Sequence, residues 1–244
     1  HFKKKGGGGY LLFQSVDCEK SHANNDDQQQ NHHRGHRARV SPHRARRHRA
    51  QRVDLRVHLR HLLRVLRVER DEIVLVPAEP AALPIVGQKV TQKITWDRRH
   101  RHMRVHTALH LLSVVIPLPV SGGAISPEKG RLDFDMSEAP EDNDGLEATL
   151  NKLIACHFAV SDEWITDAEL DANPDLVKTM SVQPPRGSGH IRLVRIGVGE
   201  NTADLQPCGG THVANTDEIG RVRIGKIEKK GKQNRRVYLH LDGV

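Results

Sequence analysis

The sequence predicts an α+β fold. Three patterns lead there. Some segments alternate apolar and polar residues with period two, as half-buried strands do. Others carry apolar residues at helical spacing. The two kinds are mixed without a β–α–β rhythm, which argues against a parallel α/β sheet. At 244 residues the chain has room for one large domain or two ordinary ones with a sizeable core. No internal repeat is visible.

The first 52 residues stand apart. Residues 20–52, "KSHANNDDQQQNHHRGHRARVSPHRARRHRAQR", show no helical or strand period and almost no apolar residues. Such a stretch cannot bury enough surface to offset ordering entropy. It is an anomalous basic low-complexity segment. Three readings fit it: a phosphate-contacting arm, a disordered segment, or a GC-rich gene read out of frame. From Val53 a period of two begins: Val53, Leu55, Val57 and Leu59 predict a strand. "DEIVLVP" at 71–77 predicts a second, and "GQKVTQKITWD" at 87–97 a third, with Val90, Ile94 and Trp96 inward. Residues 53–96 thus read as a small β subdomain.

Residues 97–244 read as a second domain. A helix is expected from near Asp97, a good N-cap residue, to just before Pro117 and Pro119, which cannot continue it. Met103, Leu109, Leu112 and Ile116 form its apolar stripe. "VSGGAIS" reads as a glycine-rich turn and "GRLDFDM" as a strand with Leu132 and Phe134 on one face. A helix follows from about Gly145. "VSDEWIT" is a strand, and "DAELDANPDLVKTM" a helix interrupted at Pro174. "QPPRGSG" is a loop and "HIRLVRIG" a strand. "DLQPCGGTHVANTDEIG" reads as loop-rich, and the remainder as a closing hairpin turning at "KKGKQN".

Charge and composition narrow the function classes. The formal net charge is +8, but residues 1–70 hold 17 Lys and Arg against 6 Asp and Glu, and residues 71–244 hold 21 against 24. The basic character belongs to the first segment alone. Aromatic content of 3% argues against a base-stacking platform for single strands. Three cysteines, Cys18, Cys156 and Cys208, are too few and odd in number for a disulfide framework and point to a reducing compartment. Cys156, in "LIACHFA", reads as a packed residue. No apolar run is long enough to span a bilayer. The segment "HFKKKGGGGY" leads into no signal-peptide pattern.

Two short motifs carry chemistry. In "HTALH", His106 and His110 lie four apart on one helical face, where both rings reach a common point. In "CGGTH", Cys208 and His212 are also four apart, with Gly209 and Gly210 letting the backbone fold tightly between them. Each pair alone is weak: two histidines on a semi-polar helix, or a buried thiol near an unrelated histidine. Together they make a His₃Cys set suited to tetrahedral zinc. A zinc peptidase is excluded, because the general base of HExxH is replaced here by Thr107. His157 and His190 are single histidines and read as structural or surface residues.

With these motifs, "GRLDFDM", "WITDAEL", "ANPDLVKTMSVQPPRGSGHIRLVRI" and "DLQPCGGTHVANTDEIG" closely resemble the free-standing alanyl-tRNA editing proteins (AlaX type), which share this region with the editing domain of alanyl-tRNA synthetase. The resemblance covers about residues 65 to 244. It implies a zinc site at His106, His110, Cys208 and His212, and hydrolysis of mischarged tRNA(Ala), chiefly the seryl and also the glycyl ester, in the cytoplasm. It implies a small β-barrel-like subdomain before an editing domain whose mixed or antiparallel sheet is packed by helices. The chain departs from the family upstream: the run Gly6–Gly9 is followed by Tyr10, where the family carries a motif like GGGQPxD.

Ester hydrolysis needs an attacking water, a polarised carbonyl and a route for the proton. Zinc can supply the first two, although four protein ligands close a tetrahedral shell, as in structural sites. A pocket selective for serine must hydrogen-bond its hydroxyl. Thr107 and Ser121, with Ser126, are the candidates to line it. Arg98, Arg99, Arg186, Lys229 and Lys230 are candidates for phosphate contacts. The alternative is a non-catalytic RNA-binding module with a structural zinc.

Overall fold

The computed structural model of the chain describes residues 63–69, 72–77, 85–89, 91, 93–180, 184 and 189–243. They fall in two compact units, divided between Ile94 and Thr95. The smaller contains an antiparallel pair, β1 (Leu63–Glu69) and β2 (Glu72–Pro77), with Leu63 opposite Pro77 and a register shift between Arg67 and Glu69. The strand expected at 71–77 is therefore present. The one at 53–59 lies outside the described residues. The strand expected at 87–97 does not form among them. Its intended inward residue Ile94 is 62% exposed, so no apolar contact rewards strand pairing there. No closed barrel occurs among the described residues.

The larger unit is α+β. Helix α1 (Trp96–Val115) is its axis. It starts one residue before the expected Asp97, and Thr95 occupies the N-cap without a side-chain hydrogen bond. Every residue from Thr107 to Val114 is buried. The apolar stripe therefore widens into about two fully buried turns, while Arg98, Arg99 and Arg101 keep the first two turns partly in water.

Strands β3 (Val120–Ile125), β4 (Lys129–Asp135), β8 (Val222–Gly231) and β9 (Asn234–Leu241) form an antiparallel sheet in the order β3-β4-β9-β8. Its inner face contributes Val120, Phe134, Val222, Val237 and Leu239 to the core. A Cβ at Gly130 would lie 2.7 Å from Val105 Cγ1, so α1 crosses β4 closer than any side chain would allow. The stretch read as a glycine-rich turn is strand β3. Gly122 and Gly123 pair across to Asp133 and Leu132, with a bulge after Val120. Glycine content here marks a crowded ladder and not a reversal of the chain.

Helix α2 (Asn143–Ile154) is capped by Asp142, whose carboxylate accepts from Gly145 N–H at 2.7 Å. It leads into the second sheet, β5 (Val160–Ile165), β6 (Ile191–Val198) and β7 (Asn201–Pro207), again antiparallel. Short helix α3 (Asp167–Ala172) lies between β5 and β6, closed by a Thr166–Glu169 capping box, and a 3-10 turn begins at Pro174, where the interruption was expected. Strand β7 covers part of the segment read as loop-rich. Its Asn, Thr, Asp and Pro content hides an alternation that puts Asp204 and Gln206 inward. Cys156 is fully buried in the core, as expected of a packed residue.

Candidate metal centre

Helix α1 and the loop after β7 bring the four expected residues together. The donor atoms of His106, His110, Cys208 and His212 all lie within 4.8 Å of one another. Cys208 Sγ is 3.5 Å from His106 Nε2 and 3.4 Å from His212 Nε2. Donors around one tetrahedral zinc sit about 3.3–3.8 Å apart, given the usual Zn–N and Zn–S lengths.

Each imidazole presents the nitrogen a metal would need. His106 Nδ1 donates to the carbonyl of Thr211 at 3.2 Å. His110 Nδ1 donates to the carboxylate of Asp204 at 2.9 Å. Thr107 Oγ1 gives its own proton to Met103 O at 2.9 Å, so it accepts at 3.1 Å from His212 Nδ1. With all three Nδ1 atoms acting as donors, the Nε2 atom of each ring in its neutral form carries the lone pair that a metal takes, and outer partners of this kind fix ligand orientation. The residues fit a zinc ion by donor chemistry and by tautomer.

The loop is built for this convergence. Cys208 N–H donates to Arg192 O at 3.1 Å, which ends β7. Arg192 Nη1 returns two hydrogen bonds, to Cys208 O at 2.9 Å and Gly210 O at 2.8 Å. Gly210 N–H points at the sulfur at 3.4 Å. A Cβ on Gly210 would come 2.2 Å from His106 Cε1, so only glycine lets the loop pass the ring.

Electrostatics favour the ligand forms in part. Burial alone would raise the Cys208 pKa, but hydrogen bonds from His106, His110 and His212 outweigh it and bring the thiol down to about 3. Burial pushes His212 down to about 4, keeping it neutral. Burial also opposes charge on His110, yet the hydrogen bond to Asp204 and the neighbouring thiolate raise it to about 9. Asp204, only 2% exposed, would be raised by burial, but His110 and Lys178 hold it at about 2.

The donors open onto a cavity of about 570 Å³. Its walls include Leu109, Val120, Ile125, Leu132 and Ile191, with Ser113, Lys178 and Gln206 as polar members beside the histidines. Strand edge β3 holds part of this wall: Val120 N–H donates to Lys178 O at 3.0 Å, and Met180 N–H to Val120 O at 2.8 Å.

The other expected site residues lie elsewhere. Thr107 is 0% exposed, with its hydroxyl committed to Met103, His212 and Val213, so it orients a donor and does not face the cavity. Ser121 Oγ donates to Asp133 O and accepts from Asn234, and is not among the cavity's lining residues. Ser126 bonds to Lys129 in a turn. Arg98, Arg99, Lys229 and Lys230 are exposed. Arg99 reaches Thr211 Oγ1 at 3.4 Å and Lys230 pairs with Glu228 at 2.7 Å. Arg186 lies outside the described residues. His157 and His190 are exposed and away from the centre, as expected of surface residues. Sequence reasoning missed Asp204, Gln206, Ser113 and Lys178. The period-two spacing of Asp204 and Gln206 just before "CGGTH" was the available signal.

Comparison with known proteins accords with the motifs. Residues 191–238 match the threonyl and alanyl tRNA synthetase second additional domain. The chain is 33% identical over 160 residues to the alanyl-tRNA editing protein AlaX-M of Methanosarcina acetivorans, covering 64% of each chain. It is 37% identical over 161 residues to the AlaX-M of Methanosarcina barkeri, with the same coverage. It is 34% identical over 178 residues to the alanine–tRNA ligase of Hyperthermus butylicus, covering 68% of this chain and 18% of that one. The chain spans about 64% of the length of the editing proteins it matches. The likeness read from the motifs thus holds: this chain is similar to the alanyl-tRNA editing proteins AlaX-M over 64% of its length, and its residues 191–238 match the second additional domain of the threonyl and alanyl tRNA synthetases.

Proposed function

We propose that this protein is a trans-editing aminoacyl-tRNA deacylase. It hydrolyses tRNA(Ala) mischarged with serine, and with glycine, at a zinc-containing site made by His106, His110, Cys208 and His212. The single observation that carries this reading is the set of three imidazoles, each with Nδ1 committed to an outer partner, converging with one thiolate at the wall of a half-open cavity. The alanyl-tRNA editing proteins it resembles supply the substrate class.

A zinc ion held there supplies Lewis acidity toward the ester carbonyl. The chain's own residues do the rest. The apolar wall from Leu109 to Ile191 shields one side of the aminoacyl group from bulk water. Asp204 and Thr107 fix the His110 and His212 rings, and Lys178 balances the charge of Asp204. Residues 97–244 form the editing domain on this reading. Arg98, Arg99, Arg186, Lys229 and Lys230 contact tRNA phosphates, and the protein works in the cytoplasm, where charged tRNA is used.

Release of radiolabelled serine from seryl-tRNA(Ala) tests the proposal. The wild-type chain should release it and Cys208→Ala should not. Four protein donors fill a tetrahedral shell, and this favours a second reading, a tRNA-binding module with a structural zinc. Tight tRNA binding with no release by the wild type would support that reading instead.

A further inference from the structure

One polar group of the cavity hydrogen-bonds to none of the histidines directly. Gln206 is only 8% exposed and lines the cavity beside His110 and Cys208. Its amide nitrogen is doubly engaged, donating to Asp204 Oδ2 at 2.7 Å and to Ser113 Oγ at 3.4 Å. The orientation of the amide follows from chemistry, since an ionised carboxylate accepts only and must meet the NH₂ end. Oε1 is therefore turned away from Asp204. Among the described residues it has no hydrogen-bond partner. An amide oxygen that opens onto a cavity and meets no protein donor is left to accept from water or from a ligand.

We propose that Gln206 is a specificity-determining residue whose side-chain oxygen accepts a hydrogen bond from the hydroxyl of a seryl ester bound in the cavity. The inference rests on the deacylase reading and names the group that would select serine. Two donors on a seryl ester could meet that oxygen, the hydroxyl and the α-ammonium. The surroundings favour the hydroxyl. Lys178 lines the same wall, and a divalent ion on the histidines would add positive charge, so a second buried ammonium is disfavoured while a neutral hydroxyl is not. Alanine and glycine lack the hydroxyl and leave the oxygen unpaired. This is the asymmetry by which a hydrogen-bonding site rejects analogues.

The test compares seryl- and glycyl-tRNA(Ala) with the zinc-loaded full chain. Gln206→Met keeps the side-chain length and removes the acceptor. Gln206→Glu, when protonated, can donate to Asp204 and leave a carbonyl oxygen in the cavity. The seryl-to-glycyl ratio of kcat/KM should fall about tenfold in Gln206→Met and be largely kept in Gln206→Glu at mildly acid pH. Both esters are read on one preparation, so a partly unfolded fraction cancels from the ratio. Affinity for a stable 3′-seryl amide analogue of adenosine should fall more than that for the glycyl analogue. A fall of both esters in equal proportion would assign the oxygen to the α-ammonium and overturn the proposal. So would an unchanged ratio with zinc content intact. If the wild type cleaves neither ester, the deacylase reading fails first and this inference with it.

Discussion

The carboxylate of Asp204 accepts the Nδ1 proton of His110 at 2.9 Å, from a position only 2% exposed. A buried charge is costly unless it is paired, and this one is paired twice, with Lys178 on its other oxygen. The pairing aims His110 Nε2 at the other donors. Replacing Asp204 with Asn keeps the shape but lets an amide NH₂ face Nδ1, which favours the wrong tautomer. Zinc affinity should fall about 10–100-fold, as measured by competition with a chromophoric chelator. An unchanged affinity would remove Asp204 from the site.

Metal uptake should release a proton from His110. In the metal-free protein Cys208 is held near pKa 3 and His212 near 4, so both are in their ligand forms at neutral pH. His110, raised to about 9, is an imidazolium below that pH. Its Nε2 proton must leave before that nitrogen can bind a metal. Affinity should therefore rise with pH through neutrality and flatten as pH passes about 9. Titration calorimetry in buffers of different ionisation enthalpy counts the proton. An affinity that falls between pH 6 and 8 would contradict the assignment.

The two glycines of "CGGTH" should behave oppositely. A Cβ on Gly210 meets His106 Cε1 at 2.2 Å, while one on Gly209 meets nothing within 4 Å. Gly210→Ala must push the ring or the loop aside and should lose most bound zinc. Gly209→Ala should keep its zinc. Metal analysis of the two purified variants, with melting temperatures alongside, decides the matter. Equal metal content in both would show that the loop yields easily.

How much of this was legible follows from the range of the interactions involved. The donors could be read because both pairs sit four apart in local motifs of characteristic residue types. The helix of 96–115 and the hairpin of 222–241 could be read from their periodicity and breakers. Strand β3 was hidden because its glycines serve a ladder with β4, a tertiary fact. Strand β7 was hidden because Asp204 and Gln206 face inward, where strand residues are normally apolar, for a reason that lies 94 residues away at His110. Thr107 was read as a cavity hydroxyl, but position on a helix does not reveal which side of it another loop covers. Here that loop brings His212 and Val213 onto it.

The loop's geometry depends on one guanidinium, and this gives a further prediction. Arg192 Nη1 donates to the carbonyls of Cys208 and Gly210, while Nη2 pairs with Asp162 at 2.8 Å. Three acceptors are thus met by one planar fork, a geometry an ammonium cannot copy. Arg192→Ala leaves two loop carbonyls without their donor and should destabilise the protein by about 1–3 kcal/mol. The side chain is 22% exposed, so water can recover part of that loss and the lower half of the range is expected. Arg192→Lys should restore well under half of the loss, because its single nitrogen cannot reach both carbonyls and Asp162 together. Thermal unfolding of the metal-free chains reads the stability term. Chelator competition reads whether Cys208 and His212 remain in register, and zinc affinity should drop in the same order, wild type above Lys above Ala. Full recovery by lysine would mean that charge, and not the fork, holds the loop.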